Sequence, residues 1–230
     1  SRAAVLLSAA FLLSSGSLRA DDSYDFARLE SPRAGYLAKM DVLKNAGRYQ
    51  IPAMIQLLNN RDCCAALTVD QERAFLNHVM NRLRELGDPE AGLDRALIQL
   101  AEDTSRDVRV REYAIQHLAM GIHMYTNKEP ALAALYNFAT DKELAVSALV
   151  QLHHLPRRGT PLDRIRYSIL VSACADRQNL QIAEQVALLA IIGNDAITNA
   201  LSGVRAWVAT SSAPLVVRGG IDVLRVLGGG

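Results

Sequence analysis

Aromatic side chains are scarce in this chain: 4 Phe, 7 Tyr and 1 Trp make up 5% of its 230 residues. Sheets draw on aromatic and β-branched residues, so the shortage argues against a β-rich fold. No segment shows convincing period-two alternation flanked by hairpin turns. Charge of one sign is missing as well. Lys plus Arg number 25 against 24 Asp plus Glu, a formal +1, which excludes a general electrostatic footprint for nucleic acid or anionic membrane and leaves only local patches. Beyond the first 20 residues nothing approaches the ~18 consecutive apolar residues of a spanning helix. Catalytic signatures are lacking too: there is no G-x-S-x-G elbow, Walker loop, G-x-G-x-x-G, H-E-x-x-H or C-x-x-C-H.

What is present is apolar and helix-forming. Half of the residues are hydrophobic, with 34 Ala and 33 Leu. That supplies core for one or two ordinary domains, argues against disorder, and favours helices joined by small-residue packing. At the start, Arg2 precedes the apolar run Ala3 to Leu13, then Ser14 to Ser17, then Leu18-Arg19-Ala20. The pattern is that of a secretory signal peptide over residues 1–20, cut near Ala20. This run, apolar but for Ser8, rises only about 16 Å as a helix, half of a ~30 Å hydrocarbon core, so a permanent anchor fits poorly; a buried helix is the alternative. Residues 21–32 read as a polar tether. The expected product is periplasmic or secreted, without stable membrane insertion after cleavage.

Helix starts are legible along the rest of the chain. Thr68–Gln71 and Thr140–Glu143 fit the capping box, and Asp107 and Asp195 are N-cap candidates. Asp88-Pro89, Glu129-Pro130 and Thr160-Pro161 place Pro at a first helical position. Helices are therefore predicted near 33–46, 51–60, 70–86, 89–102, 107–123, 129–139, 141–154, 161–175, 179–192, 195–209 and 214–227. Val79, Ala114, Ala148, Ala187 and Gly220 recur as anchors with apolar residues four before, one after and four after each. One further helix lies between successive anchors, the mark of a helix–turn–helix repeat of mid-thirties period. Lys39 interrupts the pattern in the first unit, as in an atypical capping repeat. The expected fold is all-α: a right-handed α-solenoid of about five helical hairpins plus a terminal helix, spanning 33–230 and open to continuation past Gly230. The second helix of each unit (51–60, 89–102, 129–139, 161–175, 195–209) is expected to line one continuous face.

At Leu86-Gly87-Asp88-Pro89-Glu90-Ala91 and Asp107-Val108-Arg109-Val110-Arg111, with a weaker echo at Ile192–Ala196, the chain resembles the HEAT-repeat family, particularly its short bacterial members. The resemblance implies a curved scaffold that holds a protein partner along one face, with no catalytic, cofactor-binding or metal residues. The alternative is an accessory repeat region of a larger exported enzyme whose catalytic part lies outside this chain.

Few residues invite other chemistry. Cys63 and Cys64 are adjacent, a spacing that bonds only with strain; either could pair with Cys174, or all three serve as buried structural residues. A redox or metal role is the remaining possibility. The five histidines, His78, His117, His123, His153 and His154, are not spaced to converge on a metal. Arg106, Arg109 and Arg111, and likewise Arg157, Arg158, Arg164 and Arg166, read as solvated charged faces that could meet an acidic partner. Nucleic acid is disfavoured by export, neutrality and the lack of interleaved aromatics. Trp207 fits core or interface packing.

Overall fold

A computed structural model describes residues 26–88 and 92–229. The signal segment 1–20, the tether before residue 26 and Pro89 lie outside the described residues. Among these residues there is no strand. The helices are α1 Tyr36–Asn45, α2 Ile51–Asn59, α3 Val69–Leu86, α4 Leu93–Glu102, α5 Val108–Gly121 and α6 Glu129–Phe138. They continue as α7 Ala145–His154, α8 Arg164–Ala175, α9 Ile182–Asp195, α10 Leu201–Thr210 and α11 Pro214–Leu227. Each falls on one of the eleven expected segments, and none is long and apolar enough to cross a membrane.

The helix starts follow local chemistry, not always at the expected residue. Thr68 and Gln71 exchange the two bonds of a capping box at α3, and the Asp107 carboxylate accepts from Arg109 N at α5. At α7 it is Asp141, not Thr140, that serves: its carboxylate accepts from Glu143 N and Leu144 N, and the helix opens at Ala145. Thr160-Pro161 does not start α8. Asp163 caps it by accepting from Arg166 N, three residues later than expected. Asp195 caps nothing; it ends α9, and Ala196 takes a left-handed conformation (φ 53°) that turns the chain away.

Packing joins each helix to the next but one. α1 lies on α3, α3 on α5, α5 on α7, α7 on α9 and α9 on α11, while α2 lies on α4, α4 on α6 and α8 on α10. Between α6 and α8 the link runs through Tyr136: its hydroxyl accepts from Asp163 N at 3.0 Å, and Arg166 stacks 4.3 Å from its ring. The anchor pattern is buried on α3 (Phe75, Val79, Met80, Leu83), on α5 (Val110, Ala114, Ile115, Leu118) and on α7 (Leu144, Ala148, Leu149, Leu152). It drifts on α9, where Leu188, Leu189, Ile191 and Ile192 are buried but Ala183 is exposed. On α11 Ile221 is half exposed, this helix packing chiefly on α9 and α10.

Polar side chains tie helices together across sequence separations of 32–36 residues. Arg73 grips Asp107 through two bonds of 2.7 and 2.8 Å, Arg106 reaches Glu72 at 2.6 Å, and Arg111 reaches Glu143 at 2.6 Å. Ser147 donates to Glu112, and Arg82 donates twice to the Ala46 carbonyl. The cluster around Arg106 is thus not the solvated face the sequence suggested. Arg106 and Arg111 are buried beside carboxylates and carbonyls of neighbouring helices that take up most of their N–H groups, although Arg106 Nε finds no acceptor among the described residues; of the three, only Arg109 stays in solvent.

The stretch read as a tether is not wholly extended: residues 26–30 are helical, and Leu29 is buried. Lys39 explains the docking. Its ammonium donates to Leu29 O at 2.6 Å, Ser31 O at 2.9 Å and Arg28 O at 3.2 Å, satisfying carbonyls that a helix end leaves free. The Phe75 ring lies 5.6 Å from the same nitrogen. The residue that broke the apolar pattern is a buried clamp on the segment before it.

Candidate functional site

The ends of α7 and α9 and the start of α8 enclose a cleft of about 210 Å³. Asp163 starts α8 so that Arg164, Tyr167 and Ser168 share one side of its first two turns, and all three line the cleft. The left-handed turn at Ala196, costing roughly 1–2 kcal/mol for a residue with a Cβ, leaves the Asp195 carboxylate beside α7 and α8. One of its oxygens accepts from Tyr167 Oη at 3.0 Å and meets His153 Nδ1 at 2.6 Å. Pro156, Leu162 and Ile197 supply apolar wall. Burial, reinforced by the Asp195 charge, pushes the Tyr167 phenol far above its ordinary range. Burial and the charges of His153, Arg158 and Arg157 push His154 down.

His153 Nδ1 is taken up by the Asp195 carboxylate, which leaves Nε2 on the far side of the ring. Among the described residues no hydroxyl or thiol bonds that nitrogen. Ser168 donates instead to Asn199 Oδ1 at 3.0 Å, so no nucleophilic relay is assembled. The cleft is smaller than the roughly 300–1,000 Å³ of sites for drug-sized molecules, and suits a single side chain better than a large cofactor. The Arg164 guanidinium, exposed and without an ion-pair partner among the described residues, stands at its edge.

The other candidates are scattered. Cys63, Cys64 and Cys174 are all free thiols and all buried. Cys63 Sγ lies 3.5 Å from Cys64 Sγ and donates to Asn60 O. Their hydrogen bond, with the charges of Lys39 and Arg106, draws Cys63 down, while the same bond and burial drive Cys64 up. Burial pushes Cys174 up to about 11. His78 and His123 are exposed, and His117 is buried, 3.0 Å from Asn77 Oδ1. Trp207 is buried against α10's neighbours. Among the described residues no three His, Cys, Asp or Glu side chains gather where a metal ion could be held.

Sequence reasoning missed Asp195 as a partner of His153 and Tyr167. Its position after Asn194 looked like a helix start, and no local pattern marks a contact 42 residues away. Fold and cleft together define an all-helical protein in which a small polar recess opens beside exposed aliphatic side chains. No family model, curated protein or solved structure matches the chain.

Proposed function

We propose that the chain is an exported, non-catalytic protein-binding scaffold, a HEAT-like α-solenoid that holds its partner along the row of second helices α2, α4, α6, α8 and α10. The next-but-one packing and the side-chain bonds at one-repeat separation support the solenoid reading. The Asp107–Arg111 element that carries the family resemblance works structurally: Asp107 caps α5 and receives Arg73, while Arg111 is buried against Ala101 O and Glu143. Export rests on the segment Arg2–Ala20.

One observation carries the binding reading. On the second-helix row the exposed large aliphatic side chains are Ile165 at 77% and Ile169 at 57%, one turn apart on α8, beside the cleft. An aliphatic pair bordered by polar groups is the composition of a small interface centre with its rim. The partner lays an apolar segment across Ile165 and Ile169 and sets one polar side chain into the cleft.

Affinity capture from an envelope fraction, with the mature chain as bait, tests this. One dominant protein should be retained by the native chain and reduced at least tenfold by Ile165→Asp or Ile169→Asp, both of which fold normally because the positions are exposed. Retention of nothing, or capture indifferent to both changes, refutes the scaffold function.

A further inference from the structure

A second recess, of about 430 Å³, lies at the far end of α8 from the cleft, between the turn that follows this helix, the start of α9 and one side of α10. It falls within the roughly 300–1,000 Å³ of small-molecule sites. Local causes set its walls. Gly203 lets α10 come down onto the end of α8: a Cβ there would stand 2.5 Å from Ala175 O. That approach brings Ser202 to Asp176, whose Oδ1 accepts from the serine hydroxyl at 3.2 Å. Arg177 pins the turn, donating to Asp141 O at 2.9 Å and to Thr140 O at 3.1 Å.

The recess has two kinds of wall. Its floor is apolar and buried: Ala175, Gly203 and Trp207, the last one helical turn beyond Gly203 on the same face of α10. Its rim is polar and exposed or half-buried: Asp176, Gln178, Gln185, Ser202 and Thr210. Much of that polarity is unspent. Among the described residues the Gln178 and Gln185 amides and Asp176 Oδ2 make no hydrogen bond. Neither does the indole N–H of Trp207, a side chain only 5% exposed. A tryptophan N–H so deeply placed ordinarily has an acceptor, and the recess that Trp207 lines is where one can enter.

Charge narrows what fits. Asp176 and Arg177 both line the recess and oppose each other in sign, so an anion meets the carboxylate and a cation meets the guanidinium. A neutral molecule with interleaved donors and acceptors avoids both conflicts. A pyranose ring has this form: a face of C–H groups for the floor, and a girdle of hydroxyls, each donor and acceptor, for the two amides and the carboxylate oxygen.

We propose that this recess binds a neutral carbohydrate. The sugar ring rests on the Trp207 floor, one of its oxygens accepts from the indole N–H, and its hydroxyls bond Asp176, Gln178 and Gln185. The site is separate from the Ile165–Ile169 surface and does not depend on it.

Trp207 is the chain's single tryptophan, so its emission reports on the recess alone. Glucose, N-acetylglucosamine, their β-linked disaccharides and glycerol are titrated into the purified chain while tryptophan emission is followed, with calorimetry in parallel. At least one sugar should shift the emission saturably, with a Kd in the millimolar range or tighter, and glycerol should not. Gln178→Ala and Gln185→Ala should each weaken that sugar at least threefold, and together at least tenfold, with helical content unchanged because neither side chain is bonded within the fold. Trp207→Phe, read by calorimetry, keeps an aromatic floor without the N–H and should weaken binding several-fold. A disaccharide tighter than its monosaccharide identifies a glycan chain as the source, and equal affinities a free sugar; both support the site. Responses to every sugar no larger than to glycerol, or binding that survives the double glutamine substitution, overturn it.

Discussion

Replacing Lys39 by Met tests whether a buried cation fastens the N-terminal segment to the first helices. The native ammonium is fully buried and serves three carbonyls, those of Arg28, Leu29 and Ser31. Hydrogen bonds from a charged donor contribute about 1.5–3 kcal/mol each, but relief from burying the charge offsets part of that sum. Burial pulls the Lys39 pKa down, which is the same desolvation cost seen from the other side. A net loss of about 2–3 kcal/mol in docking follows. Leu29, worth about 1.5–3 kcal/mol when buried, then holds the segment with the partly buried Phe26. Global unfolding is largely spared, because the segment can lift away while α3, α5 and α7 remain packed. Native-state hydrogen exchange should show opening of residues 26–35 increased roughly 30- to 150-fold, with exchange in α5 and α7 nearly unchanged. Unaltered protection at 26–35 would refute the clamp. Equal loss of protection in α5 and α7 would show that Lys39 supports the whole core instead.

Two other outcomes follow from the same physics. Burial and the Arg84 charge depress His117 to about 4 against its ordinary 6.5. The unfolded chain therefore takes up a proton that the folded chain refuses: the contribution is whole above pH 6.5 and is lost as pH falls towards 4, up to about 3 kcal/mol. Stability measured in phosphate-free buffer across that window should flatten in His117→Gln, and an unchanged slope would assign the acid sensitivity elsewhere. At Gly203 a Cβ would sit 2.5 Å from the Ala175 carbonyl oxygen, where α8 ends against α10. Gly203→Ala should cost about 1–3 kcal/mol through overpacking, read as a lower denaturant midpoint; a neutral or higher midpoint would mean the two helices separate freely.

The positions of the helices were legible because their causes are local. Thr68 with Gln71, Asp107 with Arg109 N, and Pro130 within the first turn of α6 act over three or four residues, and the apolar stripe repeats within a single helix. The late starts of α7 and α8 were harder to read, since Asp141 and Asp163 compete as caps with Thr140 and with Thr160-Pro161. Both kinds of signal are equally local, and composition does not rank them.

From the sequence alone came the helical class, the order of the helices and the mid-thirties spacing of the buried anchors, because hydrogen bonding and side-chain periodicity along one helix do not depend on what lies beside it. Which charges go inside was decided by the tertiary structure. Lys39, Arg106 and Arg111 are buried, and Asp195 turns from a supposed cap into the partner of His153 and Tyr167. A charge enters the interior only where another segment brings an acceptor to it. Here those acceptors come from the preceding segment for Lys39, and from neighbouring helices for the two arginines.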